Sequence, residues 1–339
     1  MKAGCVIMGL QFGSEGKGLL AGYLAKKFKP DTIVTAWAPN AGHTFVDALG
    51  NKYVSIALPS GLVSDSVKRV LLGPGSCIDP DLLLSEMGAL DRLSDGGVEL
   101  YIHEHAAIVD DEHRHLVSQY AYRVGGVMKG GGEALMEKMR RATGDLGNIA
   151  RLRLQRTLLE GSVVSVEEYN DLIDRANFIQ VEAAQGFGLG INNGIYPYCT
   201  WRDCSVHQIL SDCAIPINFD FMVYGVARTL PIRVANRFKD GKQVGWSGPG
   251  YWDQEEIEWS SIGVEPELTT VSKLPRRLFS FSEEQIRQAI RMNGVDQVFL
   301  NFCNYVPRNE TLRLCAIINK YAHVGRTGWG PREDHIEEI

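Results

Sequence analysis

The segment that most constrains this chain runs from Cys5 to Phe28. An apolar stretch, Cys5-Val6-Ile7-Met8-Gly9, is followed by Gly13-Ser14-Glu15-Gly16-Lys17-Gly18 and then by a helix-patterned run, Leu19 to Phe28. A buried strand, a glycine-rich bend and a helix mouth carrying lysine make a phosphate cradle. Backbone N–H groups point into the bend, the helix start adds partial positive charge, and Lys17 reaches a phosphate. A plain strand-to-helix turn is the competing reading. Glycines at 13, 16 and 18 weigh against it, because each has an entropic cost. The spacing is not that of a Walker A loop, since Gln11 stands where the first glycine belongs and Gly18 follows the lysine.

Strand-like and helix-like stretches alternate beyond the bend, which predicts an α/β protein with a mainly parallel sheet. The strands are read at Thr32–Ala36, Tyr53–Ile56, Val70–Leu72, Val98–Ile102, Phe178–Glu182 and Gln297–Phe302. The helices are read at Leu19–Phe28, Pro80–Leu90, Ala134–Arg141, Val166–Ala176, Glu283–Met292 and Asn309–Tyr321. No repeat or low-complexity linker divides the 339 residues, so residues 1–339 are expected to form one large domain. Gly125–Gly132 and Asn236–Val271 read as mobile loops over a site.

The net charge of −6 argues against a protein that lives on bulk nucleic acid. No apolar run approaches the ~18–20 residues of a membrane span, and Met1-Lys2-Ala3-Gly4 does not read as a signal peptide. Seven scattered cysteines fit a reducing, cytoplasmic setting. The spacing of Cys199, Cys204, His207 and Cys213 matches no common zinc pattern. His103, His105, His113 and His115 lie in polar sequence and read as a solvated edge.

Four further segments carry chemistry. Asn40-Ala41-Gly42-His43-Thr44 follows the strand Thr32–Ala36 and faces the same sheet edge as the bend, where His43 can donate a proton near a phosphoryl oxygen. Val181-Glu182-Ala183-Ala184-Gln185-Gly186 is again a strand entering a small-residue turn, and the Gln185 amide suits a base edge. The glycine-rich stretch Gly125–Gly132 is followed by Arg140 and Arg141, a potential phosphate clamp or a solvated helix face. Thr269-Thr270-Val271-Ser272-Lys273-Leu274-Pro275-Arg276-Arg277 suits a dicarboxylate or phosphate, or is a basic surface loop.

In order, these segments resemble adenylosuccinate synthetase. That family carries a Gly-Asp-Glu-Gly-Lys-Gly bend and Asn-Ala-Gly-His-Thr. It also has elements like Pro59-Ser60-Gly61, Glu182–Gly186, Tyr196–Thr200, Arg233-Val234, Thr269–Arg277 and Gly330-Pro331. The resemblance implies a sheet similar to that of P-loop NTPases, with loop insertions over the active site, and a homodimer. It also implies a two-step reaction in which a nucleoside triphosphate phosphorylates a purine O6 and the aspartate amine displaces that phosphate. Ser14, Lys17, His43 and Gln185 then fall in the catalytic set. Gly13, Glu15, Gly16, Lys17, Gly18, Gly42, His43, Thr44, Asn301, Asn304, Gly330 and Pro331 fall around the triphosphate. Ser14, Asn40, Gly126, Val127, Arg141, Gln185, Thr200 and Val234 fall around the purine monophosphate, Arg141 matching an arginine that crosses from the partner subunit. Thr269, Thr270, Val271, Ser272, Lys273, Arg276 and Arg277 fall around aspartate, and Ser14 and Gly42 around Mg2+.

Two departures from the family redirect the substrates. Its general-base aspartate is Ser14 here, which opens space beside purine C2 for an amino group. Its guanine-reading Thr-Lys-Leu-Asp is Asn301-Phe302-Cys303-Asn304, and the Asn304 amide fits an adenine edge. Both resemble the phage 2-aminoadenylosuccinate synthetase branch, implying dGMP, L-aspartate and ATP or dATP as substrates. An ordinary synthetase using IMP and GTP is the alternative, and a non-catalytic nucleotide switch is a rival of another class. The loop Lys273-Leu274-Pro275 replaces an arginine-rich stretch, leaving Lys273, Arg276 and Arg277 as candidates for the aspartate carboxylates. Gly126 and Val127 replace a threonine pair, implying a phosphate contact through backbone. The group that takes the purine N1 proton is open, a water held by Ser14 being one candidate.

Overall fold

The computed structural model describes residues 3–39, 42–93, 97–269 and 273–339. Ten strands form its central sheet: β1 (Ala3–Gly9), β2 (Thr32–Thr35), β3 (Arg69–Leu72), β4 (Glu99–His103), β5 (Val163–Val164), β6 (Phe178–Gly186), β7 (Asp220–Arg228), β8 (Gln297–Asn301), β9 (His323–Gly328) and β10 (Ile336–Glu338). The spatial order is β10-β9-β8-β7-β1-β6-β2-β3-β4-β5. Every neighbouring pair is parallel except β9 with β10.

The first strand explains the layering. Successive side chains of a strand point to opposite faces. Cys5 and Ile7 pack with Leu19, Leu20 and Leu24 of helix α1 (Lys17–Phe28). Val6 and Met8 join the opposite core, with Tyr169 and Ile173, Ile286 and Ile290, and Leu314 and Ile318 from three other helices. Both faces of β1 are thus covered, as a parallel sheet requires. Because the central strands are parallel, Gly9, Thr35, Gly186, Arg228 and Asn301 all end at one edge, and strand order reverses around β1 there. Ligands of open α/β sheets bind at that place.

Several readings of the sequence shift. Tyr53–Ile56 is not a strand of the main sheet; Lys52–Ser55 pairs antiparallel with His43–Val46 in a separate hairpin. The strands Asp220–Arg228 and His323–Gly328 and the helices Asp111–Ser118 and Val206–Asp212 had no counterpart in the sequence reading. Asn236–Val271 is not featureless loop: it holds the hairpin Arg237–Lys239 with Lys242–Gly245, and Glu256–Ile257 pairs with Arg277–Phe279. His103 and His113 are buried rather than solvated. His103 accepts the His105 N–H and packs edge-on against Tyr169, and burial together with the neighbouring His105 lowers its pKa to about 4. His113 caps its own helix through Asp110 and pairs with Glu137.

All seven cysteines are free. Among the described residues no helix is long and apolar enough to cross a membrane.

Candidate active site

The bend between β1 and α1 is shaped from inside by Glu15. Its carboxylate is fully buried and accepts the N–H groups of Gln11 at 3.1 Å and Gly13 at 2.8 Å. It also pairs with the Lys17 ammonium at 3.1 Å. Two strand-end glycines make room for it: a Cβ at Gly9 or at Gly186 would stand 2.5 Å from one of its oxygens. Glu15, expected at the triphosphate, therefore faces inward and sets the curvature of the loop. Gly13, Ser14 and Gly16 all take left-handed backbone conformations, with φ of 85°, 58° and 90°. Ser14 is exposed at the mouth of the bend. Among the described residues no side chain caps α1 at Gly16, so the Lys17 and Gly18 N–H groups of its first turn are left for an anion, while the Leu19 N–H bonds to the Gly16 carbonyl.

His43 stands at the start of the hairpin, beside the bend. A Cβ at Gly18 would lie 2.8 Å from the Thr44 backbone, so helix and hairpin are in direct contact. The His43 Nδ1 lies 3.0 Å from a Glu182 carboxylate oxygen, and the Ser60 N–H donates to the other oxygen at 2.7 Å. The Trp37 ring packs edge-on at 4.2 Å, while its indole N–H donates to the Glu182 carbonyl. Burial holds the His43 pKa below its ordinary value, with Glu182 pulling the other way. A buried carboxylate that orients a histidine through Nδ1 leaves Nε2 to carry chemistry. Glu182 stands in a segment singled out in the sequence but was given no role there; its signal is the single acid of β6.

Gln185 owes its place to an irregularity in β6. Ile7 pairs with Glu182 and Gly9 with Gly186, so four residues of β6 span two of β1. The surplus puts Gln185 at a φ of 64° beside Gly13, with its side-chain carbonyl buried and without a partner among the described residues. Thr200 connects to the same place, since its N–H donates to the Leu189 carbonyl and Leu189 packs over Gly13. Gly125 packs beside Val234, bringing the neighbouring Gly126 and Val127 near it. Arg141 is exposed, with a φ of 56°. Asn40 lies outside the described residues, and Gly42 is exposed ahead of the hairpin.

Asn301 does not present its amide to a ligand. Its nitrogen donates to the Glu15 carbonyl and its oxygen accepts the Phe302 N–H. It is wedged between Gly16 and Gly328, where a Cβ would come within 2.2 Å of it. Asn304, two residues past a left-handed Phe302, is exposed. Gly330 packs against the His335 ring and Pro331 is exposed.

In the loop expected to take aspartate, Thr270, Val271 and Ser272 lie outside the described residues. Thr269 closes the loop by donating its N–H to the Leu274 carbonyl, and its hydroxyl accepts the Leu274 N–H. Arg277 is committed elsewhere: it forms a two-pronged ion pair with Glu256 and donates to Ser247 and Gly248. Arg276 makes no side-chain hydrogen bond among the described residues. Burial lowers its pKa against the opposing pull of Glu267. Lys273 is exposed.

A glycine-rich bend ahead of a helix, a buried carboxylate–histidine pair and an arginine-bearing loop meet at one sheet edge, an arrangement suited to handling phosphoryl groups. The sequence profile of the adenylosuccinate synthetase family matches residues 6–171 and 150–331. The chain belongs to that family and is an enzyme of its carbon–nitrogen ligase class. It is 44% identical to the N6-succino-2-amino-2'-deoxyadenylate synthase of Acinetobacter phage SH-Ab 15497, over 99% of this chain and 94% of that one. It is 42% identical to the synthase of the same name from cyanophage S-2L, over 96% and 90%. The adenylosuccinate synthetase of Thermococcus sibiricus is 30% identical over 85% and 80%. A solved structure of the cyanophage S-2L enzyme, bound to dGMP and dATP as an energy donor, superposes with a TM-score of 0.93 at 40% identity, covering 100% of this chain and 95% of that one. The fully ligated Plasmodium falciparum adenylosuccinate synthetase shares the fold, with a TM-score of 0.75 at 19% identity.

Proposed function

We propose that this chain joins L-aspartate to C6 of dGMP at the expense of ATP or dATP, releasing ADP or dADP and phosphate. The product is 2-amino-N6-succinyl-deoxyadenylate. The observation that carries the substrate assignment is Ser14, a small exposed hydroxyl at the mouth of the bend where the family has a carboxylate. It leaves space beside purine C2 and an acceptor for the guanine amino group. The phage relatives, and the dGMP and dATP in the cyanophage enzyme, support the same assignment.

In the first step the purine O6 attacks the γ-phosphorus, N1 gives up its proton, and the nucleoside diphosphate leaves. In the second, the aspartate amine attacks C6, loses a proton and expels phosphate. Lys17 and the backbone donors of the bend stabilise charge on the transferring phosphoryl. His43, oriented by Glu182, protonates or hydrogen-bonds the oxygen that departs with phosphate, and Gln185 turns its free carbonyl toward the purine. Gly126, Val127, Thr200 and Asn40 hold the monophosphate with Arg141 of a second copy, and Val234 meets the sugar. Asn304 reads the adenine edge, with Gly330 and Pro331 beside it. Because Arg277 is engaged with Glu256, Arg276 and Lys273 hold the aspartate carboxylates together with residues 269–272.

The donor set also fits magnesium. Mg2+ takes few protein oxygens and completes its shell with water and phosphate. Among the described residues no cluster of acids, histidines or cysteines forms a ready cage. The Ser14 hydroxyl and the Gly42 carbonyl are the hard oxygen donors at the edge. When bound, the ion neutralises phosphate charge.

Aspartate-dependent phosphate release from ATP or dATP with magnesium, measured with dGMP and with IMP, tests the assignment. Faster turnover of dGMP is expected, and Ser14→Asp should shift preference toward IMP. Faster turnover of IMP by the unaltered protein overturns it.

A further inference from the structure

Two residues that follow the end of β1 and β8 hold backbone conformations that non-glycine residues rarely adopt. Ser14 and Phe302 both have a φ of 58°. Such conformations persist where the surroundings over-determine them. The same dipeptide, Arg228-Thr229 at the end of β7, touches both. The Arg228 Nη1 donates to the Ser14 carbonyl at 3.2 Å. Its guanidinium carbon lies 3.8 Å from the centre of the Phe302 ring. The Thr229 hydroxyl donates to the Phe302 carbonyl at 2.7 Å, and its N–H donates to the Asn301 carbonyl.

Arg228 is itself held by several groups, although its Nε is buried without a hydrogen-bond partner among the described residues. It is fully buried, and its main chain exchanges two hydrogen bonds with the Gln11 side chain of the bend. Glu267 grips the guanidinium at 2.5 Å and 3.4 Å, and Tyr305 donates to the same carboxylate at 3.0 Å. Burial pushes the Glu267 carboxyl up, but Arg228 and these hydrogen bonds outweigh it and hold it below its usual range. Glu267 also accepts the Arg276 N–H through its carbonyl. One buried cation thus joins the bend, the segment leading to Asn304 and the base of the arginine-bearing loop. A lysine could supply the charge, but only a planar guanidinium can meet a carboxylate, a carbonyl and a ring together.

We propose that Arg228 and Thr229 form a clamp that holds Ser14 and Phe302 in their left-handed conformations, so that Arg228 is a positioning residue for both nucleotide subsites. The proposal rests on the reading that Ser14 faces the purine and Asn304 the triphosphate base.

A mutant cycle tests it, read as calorimetric affinities for the preferred purine monophosphate and for dATP. Arg228→Lys should weaken both by at least fivefold. Glycine adopts positive φ unaided, so in a Ser14→Gly background the same change should weaken the monophosphate less than twofold. If Arg228→Lys does not fold, Glu267→Gln, which releases one side of the fork, takes its place in the cycle. An equal monophosphate penalty in both backgrounds overturns the clamp, as does loss of affinity for only one nucleotide when Ser14 is unaltered. The monophosphate used is whichever of dGMP and IMP the unaltered protein turns over faster, so an error in the purine assignment does not mask the result.

Discussion

The Glu182–His43 pair makes the sharpest claim about chemistry. Glu182 is wholly buried and has two partners, His43 and the Ser60 N–H. Changing Glu182→Gln keeps the shape and one acceptor but removes the charge that favours a protonated imidazole. A hydrogen bond to a charged group contributes about 1.5–3 kcal/mol, and each ~1.4 kcal/mol is tenfold in rate. A fall in kcat of roughly tenfold to a hundredfold is therefore expected. The direction with pH follows from the same groups. Burial already lowers the His43 pKa and Glu182 opposes it, so the variant should lower it further. The pH limb belonging to His43 should move to more acidic values, and activity should recover partly as pH falls. Stability carries the matching sign. A folded-state pKa below the unfolded value of about 6.5 means the unfolded chain binds more protons, so stability is lost as pH falls through that window. The assay is aspartate-dependent phosphate release across about pH 5.5 to 9, alongside thermal melts. Turnover within threefold of the parent at every pH, with an unshifted profile, would refute the assigned role of the pair.

Two other outcomes are expected. Asn304→Asp should move triphosphate preference from adenine toward guanine by about tenfold to a hundredfold, since a hydrogen bond to a charged group contributes about 1.5–3 kcal/mol; unchanged relative KM values for ATP and GTP would remove Asn304 from base reading. Arg276→Ala should raise the KM for aspartate by roughly tenfold or more with little change in melting temperature, whereas Arg277→Ala should mainly lower the melting temperature; the reverse pattern would exchange their roles.

β1 was legible because its apolar run ends in Gly9 and helix α1 follows. β7 was not, although it is central. Gly225 interrupts its pattern, and that glycine is there because the Leu10 side chain fills the space a Cβ would take. β9 was hidden in the same way by Gly325 and Gly328, the latter leaving room for the Asn301 oxygen. Asn301 is expected around the triphosphate, yet each end of its amide bonds to the backbone. Such a fate depends on contact with Glu15, 286 positions away in the chain, which no local pattern carries. Arg228 and Glu267 likewise sit in segments without a motif. His103 and His113 misled through polar neighbours such as His105 and Glu112, which are exposed while the two imidazoles turn in.

The central position of β1 has a consequence for how the protein is made. β1 leaves the ribosome before both strands that flank it, β6 and β7, which are 175 and 217 residues later in register. The Gln11–Arg228 bonds that close the bend span 217 residues. At ~5–20 residues per second, roughly 10–40 seconds pass between synthesis of the two ends. During that interval Val6, Ile7 and Met8 form a nascent apolar ribbon with two unpaired edges, which is a target for chaperones and a seed for misassociation.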